Sequence, residues 1–158
     1  MNEKSISARG RPKKLNRDHV VQTALLQYWL DGPANVSIND ICKLTGASKP
    51  SVYREFGSDD GLKKSALDAY HSLAIKPVIE ILETDQHASD TIEALIGFIT
   101  QDRTRLGLPQ GCLFAMMRAQ SKQLGPSTCA KLSQMRLELL NTYSAWITRS
   151  KLRGEFAD

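Results

Sequence analysis

"TGASKPSVYREFGSDDGL" (Thr45–Leu62) is the stretch whose reading decides the fold. Gly46 stands where a helix has to end in a left-handed residue. Two residues later Ser48 is a good N-cap, and Pro50 falls in the first turn of a new helix, where its missing N–H costs nothing. That helix, over about residues 49–56, sets Val52 and Phe56 at i and i+4 on one inward face. Lys49, Ser51, Arg54 and Glu55 are left off that face. Just upstream, "SIND" (Ser37–Asp40) reads as a capping box opening a helix, with Val36 stapled to Ile41. Ile38, Ile41 and Cys42 face inward, and Cys42 is the small residue where the two helices cross. Two helices, a tight glycine turn and a short second helix with a polar outer face make a helix-turn-helix. Its second helix is short because only its first turns need to reach base edges in a DNA major groove.

Working outward, Asn16 caps a preceding helix whose Val21, Ala24, Leu25 and Tyr28 form one apolar stripe, with Leu15 and Val20 as its staple. It stops near "DGP" (Asp31–Pro33). Before it, residues 1–17 hold six Lys/Arg against one Glu, while the rest of the chain has fifteen Lys/Arg and sixteen Asp/Glu. The net charge of +4 therefore comes from the N-terminal arm alone. A basic arm on a near-neutral body suits a polyanion. In "ARGRPKK" Arg9 and Arg11 flank Gly10, and Pro12 keeps the chain extended. Such an arm is suited to entering a narrow minor groove.

Downstream the reading stays helical. Ser58 caps a helix with Asp59 and Asp60 in its first turn, where the dipole favours acids. It runs past Tyr70 to a kink or break near Pro77. Residues 84–89 read as a loop. Ile92, Leu95, Ile96 and Ile99 recur at i, i+3, i+4 and i+7 and mark another helix. "RLGLPQG" (Arg105–Gly111) is a loop, followed by a helix over about Cys112–Gln123 that "LGP" closes. A last long helix over about Ser127–Leu152 carries Leu132, Met135, Leu139, Tyr143 and Trp146, and Gly154 ends it.

Composition sets the bounds. At 158 residues, with 41% apolar and 24% charged residues, the chain is an ordinary globular length with a real core. No run of eighteen apolar residues and no signal peptide is read, so no membrane partner and a cytoplasmic location are expected. Cys42, Cys112 and Cys129 lack metal-ligand or disulfide spacing, and His19, His71 and His87 stand apart, so reduced thiols, no metal and no cofactor are expected. No nucleophile triad, paired acids or phosphate loop points to an enzyme.

The basic "GRP" arm, the first helix, "SINDICKLTGASKPSVYREFGSDDGL" and the amphipathic helix after it resemble the TetR/AcrR family of bacterial one-component repressors, most clearly over residues 9–75. "GCLF" (Gly111–Phe114) and "LGP" (Leu124–Pro126) are similar to a subset of that family's effector domains. The resemblance implies an all-α homodimer on a palindromic double-stranded DNA operator, released when a small molecule enters the C-terminal core. The expected organisation is a flexible arm (1–14), a three-helix helix-turn-helix domain (15–57) and a helical effector and dimerisation domain (58–158). By the same resemblance Lys49 and Pro50 match base-contacting positions, Pro50 through thymine methyls. Ser51 and Tyr53 match phosphate contacts, Arg54 a base or phosphate contact, and Thr45 and Ser48 the groove margin. Two departures are visible. Asp59 stands where the family usually has a phosphate-contacting lysine, and the sequence stops at "GEFAD", before the family's further dimer-forming helix, so weak dimerisation is expected. Candidate effector-pocket residues are Tyr70, Phe98, Phe114, Met117, Tyr143 and Trp146, each of which also suits plain core packing. An apolar or aromatic effector fits a body without visible buried charge. The alternative is a DNA-binding regulator without a small-molecule ligand, switched by oxidation of a cysteine, Cys112 first, or by a protein partner.

Overall fold

The computed structural model describes residues 15–156, and the arm with Arg9 and Arg11 lies outside them. The described residues form eight α-helices and no strand. These are α1 (Arg17–Asp31), α2 (Ile38–Thr45), α3 (Lys49–Phe56), α4 (Asp59–Tyr70), α5 (Lys76–Glu83), α6 (Ala88–Thr100), α7 (Leu113–Ala119) and α8 (Pro126–Leu152).

Local chemistry accounts for most boundaries. Asn16 accepts from the His19 N–H, Ser37 and Asp40 form the full capping box, and Ser48 and Ser58 cap α3 and α4. Gly46 ends α2 at φ +68°, a conformation that side-chain-bearing residues resist. Between α4 and α5 the chain makes one π turn, His71–Ile75, in which the Lys76 N–H reaches the His71 carbonyl. The wider turn absorbs Pro77, which has no N–H to give and would clash with a carbonyl in a regular helix.

Three sequence expectations shift. The loop over 84–89 is shorter, because His87 caps α6 and accepts from the Ser89 N–H. The helix over Cys112–Gln123 divides into α7 and a separate 3₁₀ turn, Ser121–Gln123. Gln120 is the C-cap of α7, and its side-chain oxygen accepts from the Ala34 N–H in the α1–α2 turn. On α6 only Leu95 of the apolar stripe is buried, while Ile92, Ile96 and Ile99 are exposed. The inward face of α6 is Ala88, Thr91 and Leu95, because this helix packs chiefly on α5.

One core runs from the helix-turn-helix into the body. Trp29 on α1 meets Tyr70 on α4 edge-on at 5.0 Å, and Leu62, Leu67, Leu113, Met117 and Met135 continue the same cluster. A smaller cluster at the far end joins Leu82, Ala88, Leu95 and Trp146. Helix α4 packs on α1 and on α8, and polar groups stitch it and the π turn to α8. Asp68 pairs with Lys131 at 3.1 Å, and His71 meets Glu138 at 2.8 Å. At the start of both helices, Asp60 accepts from the Ser127 N–H (2.8 Å), the Thr128 N–H (3.0 Å) and the Thr128 hydroxyl (2.6 Å). Helix α8 begins Gly125-Pro126 and has no side-chain cap of its own, so Asp60 caps it from α4. A side chain at 125 would collide with that carboxylate, since an added Cβ lies 2.4 Å from the Asp60 Cγ. Burial pushes the Asp60 carboxyl up, but the bonds from Thr128 and Ser127 outweigh it and hold the group below the usual carboxylate range.

Candidate nucleic-acid interface

The turn Gly46-Ala47 sets α3 across α2, and Val52, fully buried, roots it in the core. That leaves Ser48, Lys49, Pro50, Tyr53 and Arg54 exposed and Ser51 half-exposed. They form two rows. Ser48, Ser51 and Arg54 are linked by hydroxyl and guanidinium contacts of 2.8 and 3.4 Å, and the Lys49 ammonium lies 6.0 Å from the Tyr53 ring. Spacings of three and four bring both rows to the outer side of α3. Thr45 is different: its hydroxyl donates to the Ile41 carbonyl at 2.7 Å and accepts from the Ala47 N–H. Its hydroxyl proton is committed to the turn.

Other charges near this face are already paired. Arg17 binds Glu55 at 3.1 Å and lies over the Phe56 ring at 5.5 Å. Lys63 is nearly buried, lies 5.9 Å from the Tyr28 ring, and ion-pairs with Asp59 one turn earlier on α4. Asp59 keeps its second carboxylate oxygen buried without a partner among the described residues. A cleft of about 370 Å³ opens here, lined by Val36, Ser37, Asn39, Lys49, Tyr53, Asp59 and Lys63. Asp59 thus shares one surface depression with Lys49 and Tyr53.

The candidate pocket residues separate into three places. Tyr70 and Phe98 line a second cleft, of about 390 Å³, with Ala74, Ile75, Val78, Ile99, Gln101, Arg103, Gln110, Gly111 and Cys112. Phe114 and Met117 are in the main core, with Arg118 over the Phe114 ring. Tyr143 and Trp146 belong to the far cluster. Among the residues that sequence reasoning passed over are Asp60, Lys63 and Arg103. Asp60 reads as a first-turn acid of α4, and only the capless Gly125-Pro126 start of α8 hinted that a partner had to come from elsewhere. The Arg103 loop has no periodicity to read. Lys63 had a visible i, i+4 partner in Asp59.

No known protein-family profile matches the chain. The HTH-type transcriptional repressor ComR of Escherichia coli (strain K12) is 29% identical over 106 residues, covering 66% of this chain and 50% of ComR. The HTH-type transcriptional repressor BdcR of the same strain is 26% identical over 108 residues, covering 68% and 53%. The chain therefore spans about half the length of these curated relatives. A TetR-family transcriptional regulator from Agrobacterium tumefaciens superposes with a TM-score of 0.75 at 19% identity, over 87% of this chain and 72% of the other. E. coli NemR in its reduced form superposes with a TM-score of 0.70 at 17% identity, over 87% and 71%. What these likenesses define is an all-α fold carrying a helix-turn-helix. The chain is TetR-like in fold, and it shares sequence with the two helix-turn-helix repressors over about two thirds of its length.

Proposed function

We propose that this chain is a sequence-specific DNA-binding transcriptional regulator, a repressor that binds a palindromic operator as a homodimer and is released by a small molecule. The observation that carries the reading is the outer side of α3. Lys49, Pro50, Tyr53 and Arg54 are all exposed there, on a helix anchored by a buried Val52 and set by a left-handed glycine turn. Exposed cationic and hydroxyl groups at the start of such a helix are the chemistry of base and phosphate contact. The names of ComR and BdcR, both transcriptional repressors, support the same reading.

Self-association is supported by α8. Leu137, Leu140 and Ile147 are 59%, 47% and 41% exposed on α8, off the face that buries Leu132, Met135 and Trp146. Release by an effector is supported by α4, which carries Tyr70 in the second cleft at one end and Asp59 and Asp60 at the other. Eleven residues of helix separate them by about 16 Å. A ligand bound better by one position of α4 than by another shifts the population between them. The test is selection of bound duplexes from a random DNA pool. Enrichment of an inverted repeat is expected, and a bound pool without one sinks the palindrome and the dimer together.

A further inference from the structure

The second cleft has a chemical polarity that narrows its ligand, on the reading that it is the effector site. Its floor is apolar: Ala74, Ile75 and Val78 from the π turn and α5, and Phe98 and Ile99 from the end of α6. Its rim is polar, and among the described residues Arg103 is the one charged side chain that lines it. No carboxylate of the described residues lines the cleft. Arg103 is half-buried, and its guanidinium carbon stands 5.2 Å from the centre of the Phe98 ring. Among the described residues it has no ion-pair partner within 4.0 Å, while the adjacent Asp102 is taken by Arg105 and Thr104. Beside it the Tyr70 hydroxyl donates to the Cys112 thiol at 3.3 Å, a weak acceptor that a ligand oxygen would displace. Burial and the Cys112 thiol push the Tyr70 hydroxyl up, with Arg103 opposing, so it stays a protonated donor at neutral pH.

We infer that the cleft takes a small organic monoanion, an aromatic or short aliphatic carboxylate, with its apolar body on Ile75, Val78 and Phe98 and its carboxylate between Arg103 and Tyr70. An uncompensated guanidinium beside an aromatic ring is an anion receptor, because it offers paired N–H donors that carboxylate geometry matches. A cationic ligand would meet Arg103 with no acid to offset it. A dianion would leave its second charge against the apolar floor. At about 390 Å³ the cleft is at the small end of small-molecule sites, which suits one ring or a short chain.

The experiment uses the full 158-residue chain and matched probes: phenylacetate, phenylacetamide and phenethylammonium, with hexanoate and hexanamide as the aliphatic pair. Binding is read by calorimetry and by the fluorescence of Trp29, which touches Tyr70 edge-on. Each acid should bind about tenfold to a hundredfold more tightly than its amide, and the ammonium more weakly still. Arg103→Gln should abolish the acid-over-amide preference, with folding of the variant checked by circular dichroism. Tyr70→Phe should reduce it in part. If amides bind as well as acids, or Arg103→Gln keeps the preference, the anion assignment falls while the cleft remains a ligand site. Should no probe of any charge bind, the effector reading of the cleft falls with it.

Discussion

Replacing Asp60 with alanine removes the cap that α4 supplies to α8. The three hydrogen bonds that the carboxylate accepts there are not equivalent. Ser127 is exposed, so its freed N–H turns to water at little cost. Thr128 is fully buried: its hydroxyl can still donate to the backbone carbonyl of residue 60 at 3.2 Å, but its N–H is left without the carboxylate. A buried polar group left unpaired costs about 1–3 kcal/mol, and loss of an N-cap about 0.5–2 kcal/mol. The two descriptions overlap, so about 2–4 kcal/mol is expected for Asp60→Ala. In a chain of this size that lowers the thermal midpoint by roughly 5–15 °C. Asparagine keeps an acceptor and is itself a good cap, so Asp60→Asn should lose only about half as much. Urea denaturation followed by circular dichroism measures all three proteins. Thr128→Val completes a double-mutant cycle, in which the combined loss should fall short of the sum by about 1 kcal/mol. An Asp60→Ala loss under about 0.5 kcal/mol, or strict additivity with Thr128→Val, refutes the clamp.

The clamp also has a pH signature. The folded-state carboxyl of Asp60 is held below its ordinary range, so its contribution is fully present above the unfolded value of about 4. It is lost as pH falls from there through the lower folded value. The stability gap between the parent and Asp60→Ala should therefore be constant from pH 7 to about 5 and shrink as the solution is acidified further. A gap that instead widens on acidification contradicts the direction assigned to Asp60.

The remaining expectations concern DNA and assembly. Lys49→Ala should relax preference at one base pair per half-site by about 1–3 kcal/mol, whereas Tyr53→Phe should weaken all duplexes alike, both measured on the selected operator and its point variants. Asp59→Lys should steepen the slope of log K against log salt by about 1.8 for a symmetric dimer, with coincident slopes showing that position 59 does not face the backbone. The same change should cost stability, because it leaves the nearly buried Lys63 facing a second cation rather than its partner. Leu137→Glu combined with Leu140→Glu should leave the circular dichroism spectrum intact and shift sedimentation toward the monomer; an unchanged oligomer would show that this side of α8 is not the interface.

What was legible in the sequence follows the range of the interactions. The capping box at Ser37–Asp40, the Ser48 and Ser58 caps and the Gly46 stop are made between residues close in the chain, so the pattern contains both partners. Periodicity found α6, but not which of its sides the body covers, because that depends on how α5 packs against it. It likewise could not separate Phe98, which borders space, from Met117 and Trp146, which are packed, nor show that Tyr70 is a core residue that also walls the second cleft: an aromatic or thioether side chain at helical spacing is the same signal in each case. Least legible were the polar contacts across long separations. Tyr70 meets Cys112 across 42 residues, His71 meets Glu138 across 67, and Asp60 meets Thr128 across 68. Two of these join α4 and the turn after it to α8, and the third joins the end of α4 to the rim of the second cleft. Under the proposed release by a ligand, a movement of α4 away from α8 would have to break or re-make the two that reach α8. A family resemblance carried by the helix-turn-helix motif therefore bears on the proposed contact with DNA, whereas the proposed release by a ligand would rest on long-range contacts that no local pattern contains.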